Sequence, residues 1–320
     1  MSQVKVLSGF AKDTLKGLTS PRKFLQPKYF YDTEGSKIFQ QIMHMPEYYL
    51  TNCEMEIFRT QSMSMAQWLH LSDKVFDLIE LGPGDGIKSK ILLKELHATQ
   101  KSFTYLPVDI SAYSLEQLSR ELTKEIPGLQ VKQRAGDYFS VMEDMAAQNG
   151  TSRVILFLGS NIGNFLPHER AAFMQKVSAM TSSGDGLLMG FDLKKSPAII
   201  QKAYDDPHGY TRAFNLNHLQ RINRELDADF DLRNFEHHAS YHPETGEMKS
   251  FLVSNKTYSV SLNFAKTHIH FDKWEPVFME LSQKFDFKSI EELARNFGFS
   301  VKKNFLDTQG YFTDSLWIKK

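Results

Sequence analysis

The chain has 320 residues, with Lys+Arg and Asp+Glu totalling 38 each, so its formal net charge is zero and its length suits two ordinary domains. No basic block stands out, which argues against a nucleic-acid or anionic-membrane partner, since either needs clustered positive charge. The single cysteine, Cys53, excludes an internal disulfide. With no signal-peptide pattern and no long apolar run, a reducing cytoplasm is the expected compartment.

Residues 1–52 are aromatic-rich, and the lysine-containing stretch through Lys23 reads as an ordinary helix, because Asp13 and the lack of Ser/Arg enrichment disfavour a transit peptide. An apolar run, Val75 to Leu81, then ends in Gly82-Pro83-Gly84-Asp85-Gly86 and opens into a helix-period segment, Ile87 to Leu96. Strand, glycine-rich turn and helix form the opening unit of a doubly wound nucleotide-binding sheet. Gly82 and Gly84 suit backbone that approaches a ligand closely with positive φ. The spacing is G-x-G-x-G with Ile87 next, which is not the dinucleotide fingerprint, and the G-K-[ST] of a phosphate loop is absent. Glu80, leading into the turn, is placed as carboxylates often are in S-adenosylmethionine sites, facing a cationic ligand. A solvated strand-end charge reads nearly as well.

The next units repeat the pattern. FTYLPVDIS is a strand ending in Asp109, about 20-odd residues on, where an acid can grip ribose hydroxyls. AGDYFS places Asp137 to reach an adenine amine, with Tyr138 packing on the ring. VILFLGSNIGNF is a buried strand running into a polar turn that holds Gly159 and Asn164. Each acid alone is more often a helix N-cap. Three polar signals at the carboxyl ends of three successive strands point to the ligand edge of the sheet.

GDGLLMGFDL (184–193) supplies a fifth strand. Residues 196–284 are too many for one crossover and carry their own helices (AIIQKAYDD, LNHLQRINREL) and strands (EMKSFLVSN, THIHFD, PVFMELSQKF). SIEELARNFGF reads as a helix with Ser289 as N-cap, Glu292 at the capping-box position and Gly298 as stop. SVKKNFLD and YFTDSLWIKK, split by Thr308-Gln309-Gly310, close the chain as a hairpin, as class I methyltransferases usually finish their sheet. The expected fold is α/β: a Rossmann-like class I methyltransferase sheet of seven strands, doubly wound, with a second α+β domain. Residues 53–195 with 285–320 form the S-adenosylmethionine-binding domain. Residues 1–52 with 196–284 form a substrate-binding or lid domain.

YFYDTEGSKIFQQIMHMPEYYLTNCE, IELGPGDGIKSK, PVDIS, GDYF, FLGSNIGNF, AYDDPHGYTRAFN, NRELDADFDLRNFEHHA and ELSQKF occur in this order. In this the chain resembles the histidine-specific Nα-methyltransferases of ergothioneine biosynthesis, from about Pro27 to the C-terminus. The resemblance implies that S-adenosylmethionine is held by Gly82 and its neighbours, Lys88, Asp109, Asp137 and Tyr138. It implies that Tyr48, Asn164 and Tyr204 bind the α-carboxylate of an amino-acid substrate. Tyr31, Phe39 and the backbone of Gly159 would surround the amine, with Tyr31 as the group nearest its proton and a base by hypothesis. Glu280 and Ser282 would read the imidazole. Being two apart on a strand, they project from one face, as the residues of a solvated strand face also would. Either Met248 or Ser250 falls where the family packs a methionine near the imidazole.

Aromatics such as Tyr31, Phe39 and Tyr48 are more often core than pocket, yet aromatic faces also accommodate a quaternary ammonium. His237, His238, His242, His268 and His270 lack accompanying cysteine and read as structural or exposed, so no metal is expected. The expected activity is methyl transfer to the α-amine of L-histidine, three times, by a monomer whose only partner is its small-molecule substrate. The rival readings are the same chemistry on another amino acid or an aromatic amine, and an inactive sulfonium-binding partner protein.

Overall fold

The computed structural model describes residues 8–69, 75–99, 102–147 and 151–320. The chain forms two compact units, Met1–Tyr49 with Lys195–Ser282, and Leu50–Lys194 with Gln283–Lys320. In chain order come helices α1 (Gly9–Leu18), α2 (Thr33–His44) and α3 (Tyr49–Leu69), strand β1 (Phe76–Leu81), helix α4 (Ile87–Ala98), strand β2 (Phe103–Asp109) and helix α5 (Ala112–Glu125). Two short strands, β3 (Gln130–Val131) and β4 (Arg134–Ala135), lead to α6 (Tyr138–Ala146), β5 (Ser152–Phe157), α7 (Pro167–Ala179) and β6 (Gly186–Asp192). Helices α8 (Pro197–Tyr204) and α9 (Tyr210–Leu226) precede β7 (Phe235–His242), β8 (Glu247–Ser254), β9 (Tyr258–Leu262), β10 (Thr267–Phe271) and β11 (Pro276–Gln283). The chain closes with α10 (Phe287–Asn296), β12 (Phe299–Leu306) and β13 (Phe312–Lys319).

The larger unit is built on a sheet of order β12-β13-β6-β5-β1-β2-β3, with β4 also pairing to β2. β1, β2, β5 and β6 run parallel, joined through helices, while β13 lies antiparallel to both β6 and β12. β3 and β4 meet β2 at successive positions, so together they fill one edge. All seven residues of β6 are buried, as a strand covered on both faces requires. Ile79, Val108, Ile155, Phe191 and Trp317 belong to its core.

One local expectation changes in this unit, and one alternative left open above is realised. The last helix starts three residues earlier than the Ser289 cap implies: Asp286 is the N-cap, accepting from the Ser289 N–H at 2.8 Å, and Ser289 is the return partner of the capping box. Aspartate caps as well as serine, and the apolar Phe287 between them hid the boundary. Asp137 is itself a helix N-cap, accepting from the N–H groups of Phe139 and Ser140 at 3.0 and 3.1 Å.

The smaller unit holds a three-stranded sheet, β11-β8-β7, and the antiparallel pair β10-β9. Lys23 to Leu25 attach to β11: Leu25 donates to the Phe278 carbonyl and Phe278 donates to that of Lys23, both at 2.9 Å. Strands β7 and β9 are additions to the sequence reading; β7 alternates buried and solvated residues through a histidine-rich stretch that carries little apolar signal. Helix α9 begins at Tyr210, six residues before the expected Leu216, because Asp206 accepts from the N–H groups of Tyr210 and Thr211 at 3.0 and 2.8 Å. Phe30, Phe214, Leu219, Phe235, Phe271 and Met279 are buried in this core.

Candidate active site

In the larger unit the turn after β1 carries positive φ at Gly82, Gly84 and Gly86. The reasons differ. A side chain at Gly82 would meet the Tyr138 hydroxyl, and the left-handed φ there already favours glycine. At Gly84 the space in front of the backbone is open to 4 Å, which is the room a closely approaching ligand needs. Glu80 is buried, and it accepts from the Ser89 hydroxyl at 2.6 Å and from the Tyr105 hydroxyl. Burial raises its pKa, and a side chain sealed from water does not fit the solvated strand-end reading.

Asp109 ends β2 half-buried, and one carboxylate oxygen accepts from the Ser111 N–H at 2.9 Å, an Asx turn that fixes its direction. The Gly136 N–H donates to the Asp109 carbonyl at 3.0 Å, tying the second acid-bearing turn to the first. Tyr138 opens α6, and its phenol is pushed up to about 12, by burial first and then by Asp109 and Glu80. Asp137 is exposed, and its pKa is lowered by the Ser140 hydroxyl and backbone. Its cap role leaves further carboxylate lone pairs, since an ionised carboxylate offers about four acceptor positions.

Lys88, in the first turn of α4, is ion-paired with Glu54 of α3. The other Glu54 oxygen accepts from the Gly159 N–H at 2.7 Å. Gly159 and Ser160 both have positive φ, at 75° and 57°, where β5 turns into the short helical turn Asn161–Asn164. The turn is braced within itself: the Asn161 amide donates to the Leu158 carbonyl at 2.9 Å and the Gly163 N–H to the Ser160 carbonyl at 2.9 Å. Asn164 ends this turn, half-buried.

In the smaller unit a second group of the expected residues converges. The Tyr31 ring meets Phe39 edge-on at 5.3 Å between centroids, and Phe39 meets Tyr48 at 6.3 Å. Phe214 closes the cluster at 5.6 Å from Tyr31 and 5.7 Å from Phe39. Asp32 positions Tyr31 from the next residue along. It caps α2 through the Gly35 N–H at 2.7 Å and is gripped from α9 by Asn217 at 2.9 Å and Arg224 at 2.6 Å. Tyr31 exposes 49 % of its surface, although its ring is packed among Phe39 and Phe214. Its pKa is raised well above the ordinary phenol value, by burial first and then by Glu280 and Tyr204.

The Tyr204 and Ser282 hydroxyls are hydrogen-bonded at 2.7 Å. Tyr204 is held from behind by His237: its Nε2 donates to the Tyr204 carbonyl at 2.8 Å, which leaves Nδ1 to accept from the Asn215 amide at 3.4 Å. Glu280 lies on the regular strand β11 two residues before Ser282, with Val277, Met279 and Leu281 buried on the opposite face. Met248 and Ser250 are both buried on one face of β8, opposite Tyr241 and Ala239 of β7. Among the described residues no group of three His, Cys, Asp or Glu is placed to share a metal ion.

Four participants lay outside the sequence reading: Phe214, Glu54, Gly190 and Asp314. Glu54 ends the longest motif quoted above and Phe214 sits in another, while Gly190 is a glycine in mid-strand. Asp314, on β13, is fully buried next to Glu54 and Lys88, and neither oxygen has a well-formed hydrogen bond. Burial and then the Glu54 charge raise its pKa well above its ordinary value, which favours its protonated form.

An open glycine turn, two acids at successive strand ends, a phenol and a buried carboxylate set fit an adenosyl sulfonium. Fold and site define an S-adenosylmethionine-dependent methyltransferase of the doubly wound class. A family profile described as histidine-specific methyltransferase, SAM-dependent, matches residues 10–319. The chain is 36 % identical over 274 residues to a histidine N-alpha-methyltransferase of Mycobacterium tuberculosis, covering 86 % of this chain and 84 % of that one. It is 33 % identical over 308 residues to the protein of the same name from Mycolicibacterium smegmatis, covering 96 % and 94 %. Ergothioneine biosynthesis protein 1 of Schizosaccharomyces pombe is 28 % identical over 72 % of this chain and 30 % of its own length. The chain belongs to the histidine-specific, S-adenosylmethionine-dependent methyltransferase family. Among its described residues no helix is long and apolar enough to cross a membrane.

Proposed function

We propose that the protein methylates the α-amine of L-histidine, three times, to give the trimethylated betaine that opens ergothioneine biosynthesis. The observation that carries the choice of acceptor is the convergence of Tyr31, Phe39, Tyr48, Tyr204, Glu280 and Ser282 in one unit. They combine an aromatic wall with a carboxylate and a hydroxyl pair. When bound, S-adenosylmethionine supplies an electrophilic methyl on sulfur. The proposed cofactor residues are Glu80, Gly82, Gly84, Lys88, Asp109, Asp137 and Tyr138.

The protein's task is alignment, since methyl transfer is an in-line displacement that gains most from held geometry. Tyr48, Tyr204 and Asn164 are assigned to the α-carboxylate, and the Gly159 backbone to the amine. Glu280 accepts from an imidazole N–H, and the Ser282 hydroxyl serves the other ring nitrogen. Tyr31 is a neutral phenol at physiological pH, as an ordinary tyrosine is, and burial raises its pKa further. We assign it to positioning rather than to the base role: in the first two transfers its oxygen accepts a hydrogen bond from an amine N–H and the proton leaves to water, while the tertiary amine of the third transfer, which has no N–H, is held by the aromatic wall. Phe39, Tyr48 and Phe214 offer ring faces and edges that tolerate growing methylation, since an ammonium without N–H groups is still attracted to an aromatic face. A cytoplasmic monomer with the smaller unit as its acceptor-binding domain completes the proposal.

Turnover of histidine and of histamine with a labelled methyl donor, read by product mass, tests it. Histamine shares the ring and the amine but lacks the carboxylate. Histidine should gain up to three methyl groups, and histamine should be slower by at least about tenfold, the smaller end of what one charged hydrogen bond contributes. Equal turnover of the two would remove the carboxylate assignment.

A further inference from the structure

We propose that Glu54 is a positioning residue that locks Lys88 and the Gly159 peptide into one rigid assembly, and that Gly190 exists to make room for it. The roles of Lys88 and Gly159 rest on the reading above. The geometry of Glu54 does not.

Glu54 comes from α3 and is 2 % exposed. One oxygen takes the Lys88 ammonium and the other takes the Gly159 N–H at 2.7 Å. The Leu158–Gly159 peptide is thereby held at both ends, with Glu54 on its N–H and the Asn161 amide on its carbonyl at 2.9 Å. With that plane fixed and left-handed φ at Gly159 and Ser160, the direction of the next carbonyl, that of Gly159, is set. Ser160 is fixed in turn, its hydroxyl oxygen accepting from the Asp192 N–H at 3.0 Å.

Gly190 lies under the same carboxylate. A Cβ there would stand 2.8 Å from Glu54 Oε1 and 3.2 Å from the Gly159 nitrogen. Glycine weakens a strand interior, so its presence in β6 marks a close approach, and the nearest approaching group is this carboxylate, with the Phe312 ring next at 3.1 Å. Asp314 pairs with Gly190 across β13 and β6 and adds a second buried carboxyl beside Glu54.

The groups facing Lys88 are Glu54 from α3, Asp314 from β13 and Glu80 from β1. Burial works to lower the lysine pKa, and Glu54 is the first of the groups that oppose it. Removing the Glu54 charge therefore leaves a desolvated lysine that gives up its proton more easily.

The test uses the full-length protein and S-adenosylhomocysteine as the probe, titrated calorimetrically between about pH 7 and about pH 9.5, below the ordinary lysine pKa. Glu54→Gln keeps an oxygen for the Gly159 N–H and removes the charge beside Lys88. The expected Kd ratio of variant to wild type is about tenfold at the lower pH, the size of one charge-assisted hydrogen bond. That ratio should grow as pH rises, while titration of the probe itself cancels. Gly190→Ala keeps the charge but displaces it, and should weaken binding to a similar extent with a ratio that does not grow with pH. Both variants should lower kcat for methyl transfer, which loss of cofactor affinity alone would not do at saturating cofactor. Wild-type affinity at every pH in a folded Glu54→Gln protein would overturn the proposal. If that variant did not fold, wild-type affinity and kcat in Gly190→Ala would overturn it. Wild-type turnover of histidine tests the functional reading, and the affinity ratios test Glu54 whatever the acceptor proves to be.

Discussion

At the scale of single residues, the two acids Glu80 and Glu280 show how alike side chains diverge by surroundings. Glu80 is sealed under the glycine turn with a serine and a tyrosine donating to it. Glu280 is half-buried on an aromatic-flanked strand, and its charge reaches the Tyr31 phenol. Only the second is suited to reading a substrate. A site built to bond a ring N–H rejects analogues that lack it, because its own polar group is then left unpaired. Glu280→Ala should therefore lower kcat/KM for histidine by roughly 10- to 100-fold, the range of one hydrogen bond to a charged group. Cofactor affinity should stay as it was. The gap between histidine and tryptophan should narrow, since an enlarged apolar pocket no longer penalises an indole. Steady-state kinetics on both substrates checks this, and an unchanged histidine kcat/KM would remove Glu280 from the site.

At the scale of elements, the entry to α2 is where the fold places Tyr31, and Gly35 is its most constrained residue. A side chain at Gly35 would run into the Phe30 backbone carbonyl, which cannot swing aside as a side chain can. Gly35→Ala should destabilise the protein by about 1–3 kcal/mol through overpacking. It should also raise KM for the amino acid, because Phe30 and Asp32 flank Tyr31. Thermal melts and kinetics together check it; a wild-type melting temperature would show that the turn relaxes at no cost. The same contrast explains how much was legible beforehand. The parallel strands announced themselves as apolar runs, since β5 and β6 are buried almost throughout. The acids at their carboxyl ends followed from the topology of such sheets. Glu280 and Ser282 were legible as a face because a strand alternates. The ties between Glu54 and Gly159, and between Tyr204 and Ser282, were not. They join positions 105 and 78 residues apart, and no local pattern encodes a contact at that separation. Strand β7 was missed because Glu236, His238, Ser240 and His242 occupy its outer face. The Asp286 and Asp206 caps were passed over for later signals.

At the scale of the whole molecule, the most unusual buried group is His218 in the smaller unit. It is fully buried against Phe10, Tyr29 and Phe30, and neither ring nitrogen has a hydrogen-bond partner. Burial first, and then Arg221, push its pKa down from 6.5 to about 3, against a smaller opposing effect of Asp32. The unfolded chain therefore binds a proton near pH 6.5 that the folded chain refuses until about pH 3. Its contribution to stability is complete above the unfolded pKa and is lost as pH falls through that window, by at most about 1.4 kcal/mol per pH unit. His218→Phe should raise the melting temperature more at about pH 5 than at about pH 7.5, because only the histidine carries this linkage. Equal shifts at the two pH values would show that His218 is not the acid-sensitive group.

The central claim, methyl transfer to histidine in preference to other acceptors, is tested most directly by competition. The wild-type enzyme is given a labelled methyl donor and all twenty amino acids at equal concentration, and the products are identified by mass. Histidine should take nearly all of the label and accumulate as its Nα-trimethyl derivative, with phenylalanine and leucine behind by orders of magnitude and tryptophan excluded by size and its single ring N–H. Label appearing mainly on any other amino acid would leave the methyltransferase standing and contradict the assignment of Glu280 and Ser282 to an imidazole.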